Sequence, residues 1–326
     1  MRPVALLIGS VLLGLTVAAG SGGVAAQSRS GKPIRIVVQS PPGAAADVLG
    51  RIAGEWLGKR TGAPIVIENR GGAGGAIALE AVAKAEPDGH TLLLATNGSV
   101  TINRALFKKE PIDTLTDIVP VVPLAFNPDI LVVNGKLPAQ TAGEFIALAK
   151  SQPGKINYGS AGAGSTPHLA VALFARLAGI ELVHVPYRGM APAITDLVAG
   201  NVQVVAIGNA TVAPFVETGA LRVLAAATPR RLPYLPNVPS AGEIGLPTWE
   251  VDTWYGLFAP RGTPKDLVDT LNAHFAALLD DPANKKRFDD SFYDARKMSA
   301  DEFAALVKAE AGKWERVVKE TGVEAQ

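Results

Sequence analysis

The chain contains no cysteine, which removes disulfide frameworks, thiol nucleophiles and thiolate metal sites. Its four histidines, His90, His168, His184 and His274, stand far apart without HExxH spacing, so no metal centre is expected. Neither sign of charge dominates: 31 basic residues face 30 acidic ones, and no general attraction to nucleic acid follows. Beyond the N-terminus no apolar run approaches membrane-spanning length. What is present suits a folded chain. Hydrophobic residues make up 48% and charged ones 19%, which excludes intrinsic disorder. At 326 residues the chain exceeds one core and suits two, on a prior of about 100–200 residues per domain.

The first residues have the order of a secretory signal peptide. Arg2 is followed by an apolar run from Val4 to about Ala19, then small residues ending in Val24-Ala25-Ala26 before polar Gln27. Cleavage after Ala26 is expected, leaving a soluble periplasmic protein. Export without cysteine fits an oxidising compartment, where unpaired thiols would react.

From Lys32 onward, short β-branched runs alternate with longer helical stretches. Residues 34–39 (IRIVVQ), 64–68 (PIVIE) and 91–96 (TLLLAT) read as strands. Residues 47–59 place Val48, Leu49, Ile52, Ala53, Trp56 and Leu57 on one helical face. A similar unit restarts at 157–159, with a helix near 168–178, strands at 182–185 and 202–207, and a helix at 193–199. The succession argues for two α/β halves built on parallel sheet with helices on both faces. Extended stretches at 129–133 and 249–258 are candidate crossovers, where Trp249 and Trp254 are expected to pack. Thr263 before Pro264, and Ser299 with Glu302, are expected helix caps.

Two loops carry the chemistry. Ser40–Asp47 (SPPGAAAD) leaves a strand and opens a helix, so Gly43 to Asp47 offer successive backbone donors at the positive end of a helix dipole. No lysine or GKS/T accompanies it, which excludes a nucleotide-phosphate loop. The alternative is a plain turn with Asp47 as a local cap. Ser160–Thr166 (SAGAGST) repeats the arrangement: Gly162 and Gly164 permit close approach, Ser165 adds a hydroxyl, and Thr166 suits a cap before Pro167. Its glycine order does not match the dinucleotide fingerprint. A third glycine-rich loop, 69–75 (NRGGAGG), reads as a structural turn. No serine sits in GxSxG, and His168 lies near Ser165 with no acid placed to orient it. Arg188 is open to two readings, a solvated turn residue or an anion clamp.

The ordered set PIRIVVQSPPGAAAD, PIVIENRGGAGG, PDGHTLLLAT, INYGSAGAGSTPHLA, VHVPYRG and YGLFAPRGTP resembles the Bug family, the extracytoplasmic receptors of tripartite tricarboxylate transporters. The resemblance covers Lys32 to Gly322. It implies an α/β type II periplasmic binding protein fold without enzymatic activity or cofactor. Two α/β lobes would be joined by two crossover strands, with 27–128 plus 251–326 forming lobe 1 and 129–250 lobe 2. A small organic acid would lie between the lobes. By the same resemblance it would be held by Gly43, Ala44, Ala45 and Asp47 from one lobe and Ala161, Gly162, Gly164, Ser165, Thr166 and His168 from the other. Asn97, Ser99, Tyr187 and Arg188 would complete the wall. The implied partners are a large and a small integral membrane subunit, with the receptor itself monomeric and no nucleic acid involved.

The sequence departs from the family pattern at Ala44 and Ala46, which replace a glycine and a hydroxyl residue. It departs again at Ile207 and Gly208, where an Asp-Asn pair is common; a dicarboxylate or aromatic acid is therefore expected over an amino acid. Competing readings are an exported α/β hydrolase using Ser165 and His168, and a sensory receptor for a membrane kinase.

Overall fold

The computed structural model describes residues 31–107 and 112–323. The expected signal peptide, 1–26, lies outside them. Among the described residues, strands β1 (Ile34–Val38), β2 (Ile65–Asn69), β3 (Thr91–Thr96), β4 (Ile118–Asn134), β5 (Asn157–Ser160), β6 (Val183–Pro186), β7 (Val204–Gly208), β8 (Leu221–Ala226) and β9 (Asp252–Pro260) form one curled sheet. Its order is β2-β1-β3-β9-β4-β7-β5-β6, with β8 also on β4.

The sheet is mixed, which corrects the expectation of purely parallel pairing. β1 runs parallel to β2 and β3, and β5 parallel to β6 and β7. The two long connecting strands run against them: β9 is antiparallel to β3 and β4, and β4 to β7 and β8. β4 is also far longer than its expected segment. Pro120 and Pro123 flank shifts in its register with β9, because a proline gives the ladder no N–H.

Helix α1 (Ala45–Thr61) buries Leu49, Ile52, Ala53 and Leu57 against the first half of the sheet. Val48, expected on that face, is instead exposed. Helix α2 (Ala76–Ala83) covers the opposite face with Ala78, Leu79 and Val82. After β3 a π-helical turn (Gly98–Ile102) runs into the short α3 (Asn103–Leu106). The second half is covered by α4 (Ala142–Ser151), α5 (Thr166–Ala178), α6 (Met190–Ala199) and the short α7 (Ala213–Glu217).

The chain then returns through β9 to α8 (Lys265–Asp280), α9 (Pro282–Asp290) and α10 (Ala300–Thr321). The expected Thr263 cap does not form; its hydroxyl donates to the Pro260 carbonyl, and α8 starts after Pro264 without a side-chain cap. The Ser299–Glu302 capping box of α10 is present. α10 buries Phe303 and Val307 against the first half, and Trp314 and Val317 against the second. Trp249 and Trp254 are fully buried; their indole N–H groups donate to the Ala170 carbonyl and the Glu310 carboxylate. No helix among the described residues is long and apolar enough to cross a membrane.

Candidate functional site

The first loop is folded by Asp47. Its carboxylate accepts from the Gly43 amide at 2.9 Å, from Asn69 Nδ2 at 3.0 Å and from Arg51 Nε at 3.0 Å. These partners, Arg51 foremost and then the Gly43 amide, hold the buried acid down at about 2 despite its desolvation. The Ala44 amide is turned back onto the Pro41 carbonyl. Gly43 and Ala44 therefore spend their backbone donors inside the loop, a correction to the expected run from Gly43 to Asp47. The amides of Ala45, Ala46 and Asp47, in the first turn of α1, have no intrahelical acceptor. The Ser40 hydroxyl oxygen, at the head of the loop, is buried without a hydrogen-bond partner among the described residues.

In the second loop the cap of α5 is Ser165, one residue before the expected Thr166. Its oxygen receives the His168 amide at 3.4 Å while its proton goes to the Gly162 carbonyl at 2.7 Å. The Gly164 amide donates to His168 Nδ1 at 2.9 Å, and that of Gly162 to Ser160 Oγ at 3.1 Å. An accepting Nδ1 places the proton of neutral His168 on Nε2. Among the described residues, the amides of Ala161, Ala163 and Thr166 carry no acceptor.

Ser165 and His168 accordingly do not form a nucleophile–base pair, because both side chains are engaged by loop backbone. Among the described residues, a serine–histidine contact between side chains is made by Ser160 Oγ with His184 Nε2 at 2.7 Å, and Ser160 is wholly buried. His184 in turn stacks on His168.

The remaining expected residues have different surroundings. Asn97 is wholly buried; its Nδ2 donates to the Asp252 carbonyl and its Oδ1 accepts from the Gly98 amide. The buried Ser99 hydroxyl lies between Gln39 Oε1 and the Thr96 carbonyl. Tyr187 turns its hydroxyl to Asp196 at 2.6 Å, while its carbonyl lies against Gly162. Arg188 is exposed and makes no hydrogen bond or ion pair with any described residue.

The two halves meet beside these loops. A Cβ placed on Gly98 would lie 3.8 Å from Thr166 Oγ1, and one on Gly164 only 2.6 Å from Leu106 Cδ1. Gly164 also has φ +76°, so the position excludes a side chain on two counts. Gln39, Ser40, Thr96, Gly98 and Leu106 were not among the residues expected from sequence. Gln39 and Thr96 carried a signal nonetheless, as polar residues that each follow a run of apolar ones, 36–38 and 92–95, and they hydrogen-bond each other at 2.8 Å.

Residues 49–323 match the family described as "Tripartite tricarboxylate transporter family receptor". The chain belongs to this family. Among its relatives is Protein BugT of Bordetella pertussis, 32% identical over 300 residues, which span 92% of each chain. Two solved structures are similar throughout. Rpa4515 of R. palustris, described with adipate, aligns with TM-score 0.79 and 34% identity over 90% of this chain and 98% of its own. MatC (Rpa3494) from Rhodopseudomonas palustris, described with bound malate, aligns with TM-score 0.75 and 34% identity over 88% and 98%. The fold is thus the two-lobed α/β fold of periplasmic binding proteins, and the family is one of receptors.

Proposed function

We propose that this chain is a periplasmic receptor for a small carboxylate, a dicarboxylate or aromatic acid, which it presents to the large and small membrane subunits of a tripartite tricarboxylate-type transporter. It would work as a monomer without catalysis, exported by a signal peptide cleaved after Ala26. Its lobes would divide at the crossings near residues 128 and 251.

The observation that carries the reading is the set of unspent donors at two helix N-termini: the Ala45–Asp47 amides of α1 and the Ala161, Ala163 and Thr166 amides around α5. Such termini favour anions through N–H groups and dipole without any fixed cation. The buried Ser40 hydroxyl adds a donor. Exposed Arg188 would reach a second carboxylate as the lobes close. The adipate and malate named for the two similar structures agree in chemical class.

A thermal-shift panel of dicarboxylates, aromatic acids, amino acids, sugars and polyamines tests this. A ligand at a hundredfold excess over its Kd adds about 2.7 kcal/mol, hence at least about 2–4 °C in Tm. Shifts with acids are expected; shifts with sugars or polyamines alone would overturn the assignment.

A further inference from the structure

Each of the two chain crossings between the halves carries an aspartate. β4 leaves β9 at Pro128, opposite Asp252, and joins β7 at Asp129 and β8 at Ile130. Three backbone bonds knit the crossing: Asp129 N–H to the Val251 carbonyl (3.0 Å), Ala227 N–H to the Asp129 carbonyl (2.8 Å), and Val251 N–H to the Ala227 carbonyl (3.0 Å). Asp129 is 2% exposed and its Oδ2 has no partner among the described residues. Asp252 Oδ1 is likewise buried and unpartnered, whereas its Oδ2 meets Arg296 at 2.9 Å. The Tyr234 hydroxyl and Asn127 Oδ1 are also buried without partners there.

The surrounding charges do not balance. Asp294 and Arg296 come from the segment after α9, Glu310 and Lys313 from α10, and the phenols of Tyr234 and Tyr255 from the β8–β9 connection and β9. Tyr293 packs on Tyr255. Against the four carboxyl groups Asp129, Asp252, Asp294 and Glu310 stand Arg296 and Lys313; Arg230, Arg231 and Glu250 line the same cleft, Arg231 being paired with Glu243. Arg296 pairs with Asp252 and Asp294, and Lys313 with Glu310 at 3.9 Å. Asp129 has no ion-pair partner among the described residues.

We propose that the lobe joint is proton-linked: Asp129 keeps its proton in this arrangement of the lobes, and its ionisation beside Asp252 loosens the crossing. A second buried negative charge there would face the Asp252 carboxylate with no direct ion-pair partner among the described residues, and both orphan oxygens would demand water. Burial foremost, then the charge of Asp252, pushes Asp129 up to about 8, with Lys313 opposing. Burial lifts Asp252 to about 7 against the pull of Arg296, and that direct ion pair is why the proton resides on Asp129. The sign follows: with its pKa raised by folding, Asp129 supports the joint fully at low pH, and the support is lost as pH rises through about 8.

The test needs no transported ligand. Amide exchange by NMR, corrected for intrinsic rates, is followed at Ala227, Asp129 and Val251 from about pH 6 to about pH 9, with Ile36 of β1 as the reference. In the wild-type chain their protection should fall about tenfold or more relative to Ile36. In Asp129→Asn, a neutral isostere, the fall should be several-fold smaller, since only Asp252 is left to ionise there. Equal falls in both proteins, or no fall in the wild type, would overturn the proposal. Should Asp129→Asn fail to fold, the carboxyl carbon of Asp129 in the wild type is titrated directly. A midpoint near 8 supports the proton-linked joint, and one below about 5 refutes it.

Discussion

The imidazoles of His168 and His184 lie face to face, with centroids 3.7 Å apart and planes 5° from parallel. One ring shapes the second loop by accepting the Gly164 amide; the other is tied to the Ser160 hydroxyl. Two imidazolium ions could not share that stack.

Acid should therefore weaken this corner of the fold. Burial, and then the neighbouring His184, depresses His168 to about 4, and burial lowers His184 as well. A histidine with a depressed folded-state pKa contributes stability above its unfolded value of about 6.5, and the contribution is lost as pH falls toward the folded value. Thermal melts should show Tm dropping between about pH 6.5 and about pH 4. His168→Asn, which keeps an acceptor for the Gly164 amide, should flatten that drop. An identical acid profile in both proteins would remove the stack as its cause.

Ser165→Ala should act on stability before it acts on binding. The hydroxyl caps α5, and losing such a cap costs about 1 kcal/mol. A Tm lowered by about 2–4 °C is expected, with a calorimetric Kd that changes less than that of Ser40→Ala. Unchanged melting with binding abolished would mean that the hydroxyl serves the ligand directly.

Ser40→Ala has the opposite signature. The wild-type hydroxyl is buried without a partner, so its removal should leave the unliganded Tm unchanged or raised. If it meets a ligand carboxylate, affinity falls about tenfold or more, since a hydrogen bond to a charged group contributes roughly 1.5–3 kcal/mol. Calorimetry with the acid giving the largest thermal shift decides the point; wild-type affinity would take Ser40 out of the site.

Gly164→Ala introduces a Cβ at φ +76°, within 2.6 Å of Leu106 Cδ1 on the other half. Left-handed backbone alone costs an alanine about 1–2 kcal/mol. Binding should weaken, and adding Leu106→Ala should restore the part due to the collision. No recovery in the double variant would assign the whole effect to the backbone.

Much of this architecture was legible because its signals are local. IRIVVQ and TLLLAT read as strands since both faces of β1 and β3 are covered, so four of the six residues in each are apolar. The 118–128 part of β4 was hidden by Pro120, Pro123 and Pro128, which a strand tolerates only through register shifts such as those found there. The two loops stood out by glycine, small residues and placement before a helix. Which of their amides stay unspent did not, because Asp47 claims Gly43 and His168 claims Gly164 only once the chain has turned back on itself. The Ser160–His184 contact spans two strands that become neighbours only when β5 pairs with β6.

The place of β9 in the sheet has a consequence for how the chain assembles. Leu93 pairs with Phe258, and Pro120 pairs with that same residue from the other side. Until residues 252–260 exist, β3 has an open edge and the first half cannot close its sheet. The strands β5 to β8, by contrast, follow one another and find β4 with every partner already synthesised. The second half can thus pair its strands first, although its core is completed only when α10 supplies Trp314 and Val317. Long-range pairings of this kind slow folding and leave a strand edge exposed to aggregation. A chain truncated before β9 would keep that edge permanently open.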